Sequence, residues 1–456
     1  METPVTLNRN TRRILFAIYG MALLYFVMKQ VYFAVWIKGF PDQMAHLSYV
    51  MEMVRKPVLL PDFSTMPNYR ELGEQGALTI YGVSSRGINY LTHPPLYYHL
   101  MALVGGIQVL PDDTLLVSGL RLRMINILLS SSAVTIAFYL GYTRLKNRSP
   151  WAHAFYAGAI VTLPMLAYVG ASVNNDNLAL FALVIFFAGL LRYQEDKTDL
   201  RTYLLIGIGF LLGSLSKLTM ALICALMLLT VLVMSIIRTR SLKLILNRNF
   251  LITLPCYLVF LAYELYIKNR YGAWQPSLYD IDRQYYFTTI FYVKPENRVP
   301  MTIWQYAIHF ARGMGYTWSS LYSHNYEAAQ IMRNSVYGIV YWIPVAAALF
   351  AAVRQAVRRS FDRITWPVVV GFFGTMAYNF YSNWVGYPIS GYLGAISARY
   401  YLPLIIPMAY IVSDQISPLF ERRKPLGRFL VIVLLVCWLA GDALRLVVLY
   451  GFPVPA

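Results

Sequence analysis

The feature that most constrains this chain is a series of apolar runs, many of them near twenty residues long, that end in polar or basic residues. A run of about twenty apolar residues matches the length of helix that crosses the hydrocarbon core of a bilayer. Inside that core only helices and closed barrels satisfy their backbone hydrogen bonds. Charged residues make up 13% of the 456 positions, whereas soluble domains are about a quarter charged. The sequence therefore predicts an all-α, polytopic integral membrane protein with one domain over residues 1–456.

Eleven segments are predicted to span the bilayer. They are residues 14–36, 115–141, 151–172, 177–192, 202–216, 218–237, 250–268, 336–353, 365–382, 400–413 and 429–450. The basic N-terminus leads into the first segment without an Ala-x-Ala-like cleavage site, so this segment is interpreted as an uncleaved span. The apolar stretch Pro94–Leu110 is only about fifteen residues long, which is typical of an interfacial or re-entrant helix.

The basic clusters decide the predicted topology. If Pro94–Leu110 does not cross, the clusters at 9–13, 144–148, 192–201, 238–248, 354–363 and 422–428 all lie on one side, which the positive-inside rule identifies as cytoplasmic. The N-terminus is then inside and the C-terminus outside. The long loops 37–113 and 269–334 are external, and we expect in-plane helices in them to roof a cavity. The net charge of +18 then reflects contact with anionic lipid rather than with nucleic acid.

The peptide KGFPDQMAHLSYV places an acid, an amide and a histidine directly after the first span. If Gln43–Val50 is helical, Asp42 and His46 share one face because they are four residues apart. A carboxylate at this place can act as a general base toward a hydroxyl group. It can equally cap a short interfacial helix. Gln43 and His46 are predicted to support the first external loop.

Three further charged residues lie at predicted outer ends of spans. Asp176, in the turn NNDN, either caps the following helix or lines a cavity. Lys217, in SLSK, either contacts a phosphate or extends its ammonium group to the membrane surface. Arg399, followed by Tyr400, either binds a phosphate with its planar fork or belongs to an interfacial belt of Arg and Tyr.

Other candidates for contact with an anionic ligand are His93, Arg283 and Arg312. The external histidines leave a divalent metal as an open option, although no HExxH-like spacing supports it; they are His46, His93, His309 and His324. The three cysteines form no CxxC motif, which argues against a thiolate metal site. No Walker pattern or G-x-S-x-G elbow is present, which argues against a nucleotide-driven machine and an ordinary serine hydrolase.

The motifs FPDQMAH, HPPLYY, NNDN, SLSK and SARYYLPLIIP, in this order, resemble those of the GT-C superfamily of membrane glycosyltransferases. The resemblance is to the bacterial branch related to protein O-mannosyltransferases and lipid A aminoarabinose transferases. It implies that Asp42 is the catalytic base and that Asp176 helps to organise the acceptor or the first loop. It also implies that Lys217 and Arg399 bind the phosphate of the donor.

The resemblance departs from the family pattern at one position. The family usually has Asp-Glu in the first loop, where this chain has Asp42 and Gln43. An amide still forms hydrogen bonds, but it supplies no second negative charge for a metal. This difference weakens a metal-dependent version of the mechanism.

The predicted function follows from the external position of these groups. Sugar nucleotides are confined to the cytoplasm, so an external donor has to be a polyprenyl-phosphate-linked sugar, such as an undecaprenyl-phosphate sugar. We therefore expect a transferase of the bacterial cytoplasmic (inner) membrane with a periplasmic active site. Asp42 would deprotonate a hydroxyl of a glycan, lipid or protein acceptor for an inverting single displacement.

Two alternatives stay open. A transporter or flippase of a lipid-linked saccharide needs polar residues along its spans through the bilayer midplane. Few occur here, and the clearest, Lys29, Glu264 and Asp442, are expected near span ends. A polymerase or ligase that joins lipid-linked glycans would use a similar external cavity.

Overall fold

The computed structural model describes residues 8–37, 40, 42–240, 247–319, 336–394, 396–416, 418 and 424–450. These residues form seventeen α-helices: α1 Arg9–Trp36, α2 Gln43–Arg55, α3 Leu96–Leu103, α4 Gly119–Arg144, α5 Pro150–Val161, α6 Pro164–Gly170, α7 Asp176–Gln194, α8 Leu200–Ser214, α9 Leu218–Thr239, α10 Arg248–Tyr271, α11 Leu278–Ile281, α12 Arg283–Tyr286, α13 Ile303–Ser319, α14 Ile343–Val357, α15 Thr365–Ser390, α16 Ile405–Ile411 and α17 Lys424–Tyr450. Shorter 3₁₀ and π turns are Pro295–Asn297, Val336–Trp342, Ala398–Leu404 and Val412–Ile416.

Within the described ranges, seven helical segments are long and apolar enough to cross a bilayer. They are α1, α4, α7, α9, α10, the segment Gly338–Val357 that contains α14, and α17. Helices α5 and α6 form a pair bent by 55°, which would make an eighth span. The predicted class, a mostly helical integral membrane protein, is confirmed. The other three predicted spans correspond to the shorter α8, to the first part of α15, and to the irregular segment that contains α16.

The first long loop extends to residue 118 in the structure and contains a four-stranded antiparallel sheet. Its strands are β1 Pro67–Gln75, β2 Leu78–Ile88, β3 Ile107–Val109 and β4 Leu115–Val117, in the spatial order β1-β2-β4-β3. Strands β1 and β2 are joined by a tight turn at Gly76, whose φ of 62° suits glycine. The expectation of in-plane helices is therefore wrong for these segments. The start of the predicted span 115–141 is also wrong, since residues 115–117 form β4 and α4 begins at Gly119.

The segment Pro94–Leu110 does not cross the membrane. Its helix, α3, has eight residues and is about 12 Å long, well short of the ~30 Å hydrocarbon core. Strand β3 follows it and pairs with β4, and β4 pairs with β2, which precedes α3. Because the chain before and after α3 belongs to one sheet, both flanks lie on the same side. The prediction of a non-spanning segment is confirmed.

Ion pairs bring several of the basic clusters together at one end of the helix bundle, called here the basic end. They join Arg144 with Glu195, Arg148 with Asp414 and Arg363 with Asp196. The first half of α1 reaches the same end, since the Tyr19 hydroxyl lies 2.7 Å from His153 Nδ1 near the start of α5. This grouping agrees with the expectation that the basic clusters share one side.

The first long loop is attached to the opposite end of the bundle by its own hydrophobic cluster. Side chains of α2, α3 and the sheet pack against Val173 and Leu178 around the start of α7. They also pack against Tyr263 and Ile267 in the last two turns of α10. Tyr49 and Tyr98 stack inside this cluster with ring centroids 3.5 Å apart. The loop is thus a packed layer, which fixes the residues that it presents to the helix ends.

Candidate functional site

Asp42 connects α1 to α2 and has a left-handed backbone conformation, with a φ of 59°. Its side chain makes no capping hydrogen bond to α2. Instead, Oδ1 accepts a hydrogen bond from the Tyr90 hydroxyl at 2.6 Å, and Oδ2 accepts one from Arg399 Nη2 at 2.6 Å. The helix-cap interpretation of Asp42 is therefore wrong, because the carboxylate points away from the helix that it precedes.

Arg399 is fixed in place by the 3₁₀ turn Ala398–Leu404. The side chain of Ser397 accepts a hydrogen bond from the Arg399 backbone N–H at 3.3 Å. The preceding backbone N–H, of Ala398, donates to Thr317 Oγ1 in α13 at 2.7 Å. Helix α13 thereby holds the segment from which the guanidinium extends. The side chain of Arg399 is 7% exposed, so it is a buried cation rather than part of an interfacial belt.

The turns NNDN and SLSK lie against each other. Asn175 Nδ2 donates to the Ser216 carbonyl at 2.8 Å, and Ser216 Oγ donates to the Asn175 carbonyl at 3.0 Å. These two bonds bring Asp176, the first residue of α7, to Lys217, which precedes α9, and the two side chains form an ion pair. The Lys217 side chain is only 4% exposed, which excludes extension to the membrane surface.

Arg399 links the two acids. Its Nη2 is bonded to Asp42, and its Nε lies 3.4 Å from Asp176 Oδ2. Tyr400 lies beside both cations, with its ring centroid 4.8 Å from Lys217 Nζ and 5.7 Å from Arg399 Cζ. Asp42, Asp176, Lys217 and Arg399 thus form a continuous four-charge network, drawn from positions far apart in the sequence.

One member of the four-charge network is much more accessible than the others. The Asp42 side chain is 37% exposed, compared with 7% for Asp176. A molecule that approaches from the side of the first long loop therefore meets the Asp42 carboxylate first. Burial alone would raise the pKa of Asp42, but the charge of Arg399 and the hydrogen bond from Tyr90 hold this pKa well below its usual range.

His46 and His93 stack next to the network, with ring centroids 5.9 Å apart and an interplanar angle of 11°. His46 Nδ1 lies 2.9 Å from the Tyr98 hydroxyl. Burial lowers the pKa of His46 well below the usual value, and burial with the charge of Lys217 lowers that of His93 to about 3. Both imidazoles are therefore neutral at pH 7.

Five buried polar atoms of the site make no hydrogen bond to any described residue. Two of them, Arg399 Nε and Asp176 Oδ2, face each other at 3.4 Å, and the others are His93 Nδ1, Asn174 Nδ2 and Asn175 Oδ1. Buried polar groups in native proteins nearly always have hydrogen-bond partners. The site thus keeps both donor and acceptor capacity for a polar ligand.

Gln43 braces the first long loop. Its Oε1 accepts hydrogen bonds from Arg123 Nε at 3.2 Å and from the Val173 backbone N–H at 3.3 Å. Arg123, in α4, also donates to the carbonyls of Ala34 and Ile37 at the end of α1. The sequence reasoning missed Arg123, because nothing in its helical surroundings distinguishes it from a surface arginine.

Tyr90 was also missed. It precedes the motif LTHPP by one position, and this proximity to His93 was the only signal that could have pointed to it. Its ring packs against Phe291 of the second long loop at a centroid distance of 5.1 Å. The second long loop thereby contacts the residue that holds the Asp42 carboxylate.

The structure does not bring Arg283 and Arg312 into the site. The Arg283 guanidinium lies over the Tyr279 ring, 4.8 Å from its centroid. Arg312 is exposed on α13. Among the described residues, no hydrogen bond or ion pair joins either arginine to the four-charge network.

The donor set does not suit a divalent metal. Within the described ranges, no three side chains of His, Cys, Asp or Glu are placed to hold a metal ion. Both oxygens of Asp42 and the Oε1 of Gln43 already accept hydrogen bonds. His309 Nε2 lies 3.0 Å from the Leu393 carbonyl, apart from the His46–His93 pair, and His324 is outside the described residues.

Fold and site together define a mostly helical integral membrane protein with a charged site at one end of its helix bundle. No protein-family model and no curated protein sequence matches the chain. Among solved structures, it is similar to ArnT from Cupriavidus metallidurans in the apo state. The TM-score is 0.51 and the sequence identity is 12%, over 96% of this chain and 72% of that chain. This likeness confirms the fold that the sequence motifs predicted.

Two further solved structures match at lower similarity. ArnT from Cupriavidus metallidurans bound to undecaprenyl phosphate gives a TM-score of 0.44 at 13% identity, over 97% of this chain and 78% of that chain. The archaeal oligosaccharyltransferase AglB from Archaeoglobus fulgidus was solved in complex with an inhibitory peptide and a dolichol-phosphate. It gives a TM-score of 0.46 at 11% identity, over 98% of this chain and 56% of that chain.

Proposed function

We propose that the protein is a glycosyltransferase that moves a sugar from a polyprenyl-phosphate donor to a hydroxyl group of a glycan, lipid or protein acceptor. One observation carries the proposal: an accessible carboxylate, Asp42, lies at the edge of a buried network that contains two cations, Lys217 and Arg399. A carboxylate that can meet a hydroxyl group, next to cations that can meet a phosphate, is the set of groups that this displacement needs.

The donor is inferred from charge and position. Lys217 and Arg399 are buried at the end of the helix bundle opposite the basic end, at the starts of α9 and of the 3₁₀ turn Ala398–Leu404. By the positive-inside rule the basic end is cytoplasmic, so the site faces the periplasm. A donor that reaches this side has to be carried by a membrane lipid, and its phosphate then lies level with the two cations.

The reaction is a single displacement. Asp42 accepts the proton of the acceptor hydroxyl while that oxygen attacks the anomeric carbon and forms the new glycosidic bond. The bond between the anomeric carbon and the phosphate oxygen breaks, and the phosphate keeps the electron pair. Lys217 and Arg399 stabilise the charge that develops on it. No general acid is needed, since phosphate leaves as an anion, and attack opposite the phosphate inverts the anomeric configuration.

Two of the three intramembrane charged residues, Lys29 and Asp442, do not favour the transporter alternative. Lys29 and Asp442 form an ion pair in which the side chains are 2% and 0% exposed. They neutralise each other inside the bundle instead of lining a path. A polymerase or ligase that uses lipid-linked glycans differs from the proposed enzyme only in the acceptor, and the same base and cations serve it.

The test is transfer by the purified protein from radiolabelled polyprenyl-phosphate sugars to components of a membrane extract. Asp42→Asn should abolish transfer, with a loss of at least ~1,000-fold, because an amide does not accept the proton. Asp62→Asn is the matched control. Asp62 is in the same loop, pairs with Arg270 at 2.7 Å and is 35% exposed, close to the value of Asp42. It should keep wild-type activity, and a chelator should not reduce transfer.

Full transfer by the folded Asp42→Asn protein would contradict the role of Asp42. Absence of transfer by the wild-type protein from every polyprenyl-phosphate sugar would contradict the proposed function itself. Transport of labelled lipid-linked saccharide into sealed vesicles without any transfer product would instead favour the flippase.

A further inference from the structure

The four-charge network is balanced before any ligand binds. It has two carboxylates, Asp42 and Asp176, and two cations, Lys217 and Arg399. Its three innermost side chains are between 4% and 7% exposed, so solvent screens their interactions weakly. A phosphate that enters this site adds negative charge to a neutral cluster. It therefore has to compete with a carboxylate for one of the cations.

Arg399 is the cation for which a phosphate and a carboxylate compete most directly. It is bonded to Asp42 through Nη2, and its Nε lies near Asp176 without forming a hydrogen bond. A guanidinium has five N–H donors in one plane and can bind a phosphate with two of them. Lys217, by contrast, keeps its buried ion pair with Asp176 and still has further N–H donors for the phosphate.

Asp42 is also the carboxylate that can most readily release its cation. It is the exposed acid, so solvent or an acceptor hydroxyl can replace the lost bond at Oδ2. Its Oδ1 is held by Tyr90 independently of Arg399. When Arg399 leaves Oδ2, a lone pair of that oxygen becomes available, while the bond from Tyr90 to Oδ1 keeps the Asp42 side chain in place.

We propose that Arg399 is shared between the base and the donor: it holds Asp42 in the resting protein and turns to the phosphate when the donor binds. This inference rests on the proposed function. Binding of the donor then makes Asp42 available to the acceptor, so the donor has to bind first. Without a donor, Arg399 keeps the carboxylate from activating water or an acceptor.

A double-mutant cycle tests the sharing of Arg399. The dissociation constant for sugar-free polyprenyl phosphate is measured by titration calorimetry in detergent. The proteins are the wild type, Asp42→Asn, Arg399→Gln and the double variant. Asp42→Asn should bind about 5- to 10-fold more tightly than the wild type, because the phosphate no longer competes for Arg399. In the Arg399→Gln background the same substitution should change binding less than ~2-fold.

Comparison of the wild-type and Arg399→Gln backgrounds separates sharing of Arg399 from general repulsion between Asp42 and the phosphate. If removal of the Asp42 charge tightens binding equally in both backgrounds, or weakens it in the first, the inference is wrong while the proposed function stands. If the wild-type protein neither binds polyprenyl phosphate nor transfers sugar, both are wrong. Should Arg399→Gln fail to elute as a monodisperse protein, Arg399→Met replaces it. The uncharged Met side chain also removes the shared cation, so Asp42→Asn should again change binding less than ~2-fold.

Discussion

Two buried groups of charges in this molecule are built differently. Lys29 of α1 and Asp442 of α17 form a buried ion pair, and Asp442 Oδ2 also accepts a hydrogen bond from Tyr25. Lys29 Nζ donates in addition to the Val161 carbonyl, at the break between α5 and α6. The four-charge network lies in an open arrangement at the helix ends, with one exposed acid. A pair with both side chains buried can join elements of the structure, whereas a network with an accessible member can receive a ligand.

The largest difference between the two groups should appear in stability. Lys29→Met leaves the Asp442 carboxylate buried without its cation, which should lower the free energy of unfolding by about 3–5 kcal/mol. Thermal unfolding in detergent measures this loss. The double variant Lys29→Met with Asp442→Asn should recover most of it, since no unpaired charge remains. An unchanged unfolding temperature in Lys29→Met would show that the pair is not structural.

Lys217→Gln should mainly affect ligand binding. Loss of one charged contact should weaken binding of polyprenyl phosphate by roughly 10- to 100-fold, as expected for a hydrogen bond to a charged group. Stability should fall less than in Lys29→Met, because Arg399 remains beside Asp176. Lys197→Gln, at the basic end, is the control and should bind normally. Equal binding by the two variants would remove Lys217 from the phosphate site.

The stacked histidines predict a dependence of stability on pH. The folded-state pKa of His93 is about 3, and that of His46 is also depressed, while an unfolded histidine titrates near 6.5. Below pH 6.5 the unfolded chain therefore binds protons that the folded protein excludes. The excluded proton at His93 should cost about 2 kcal/mol between pH 6.5 and 5, and His46 should add a loss of the same sign. Asp42, whose pKa is also lowered, adds no loss in this window, since its stabilisation is lost only below about pH 3.9.

Unfolding temperatures at pH 7 and pH 5 check this expectation. The wild-type protein should be less stable at pH 5, and His93→Gln should show a clearly smaller decline. Two results would contradict this expectation: an unfolding temperature that is the same at pH 7 and pH 5, or a fall in unfolding temperature that is as large in His93→Gln as in the wild type. Either would mean that the imidazoles become protonated without unfolding.

The smallest effect is expected for Tyr90→Phe. The variant loses the hydrogen bond that holds Asp42 Oδ1, which is worth about 1 kcal/mol, so kcat should fall roughly 5- to 10-fold. KM for the donor should not change, because Tyr90 contacts the base rather than a cation. Tyr69→Phe is the matched control, since its hydroxyl donates to Glu52 in the same loop at 2.7 Å. A rise in KM without a change in kcat would place Tyr90 in donor binding instead.

The sequence was most informative where physical constraints are strict. Membrane spans need long apolar runs, so α1, α4, α7, α9, α10 and α17 could be located directly. The length of Pro94–Leu110 and the distribution of basic residues also placed that segment correctly. Strands β3 and β4 could not be predicted, because three residues are too few to establish an alternation.

The contacts of the site were less predictable. Ordered motifs indicated Asp42, Asp176, Lys217 and Arg399, and the structure places them together. Tyr90 and Arg123 act through partners 48 and 80 residues away in the sequence, and no local pattern encodes such contacts. The residues next to Arg283 and Arg312 in the sequence are similar in composition to those next to Arg399. Only the fold distinguishes the buried arginine from the two exposed ones.

The left-handed backbone at Asp42 determines how this position should be altered. Asparagine and aspartate tolerate this conformation, whereas other side chains with a Cβ atom incur a penalty of about 1–2 kcal/mol. An alanine scan would therefore combine loss of the carboxylate with distortion at the start of α2, and it would overstate the chemical contribution. Glycine would relax the turn and allow the loop to shift. Asparagine alone changes the chemistry while keeping the shape of the chain.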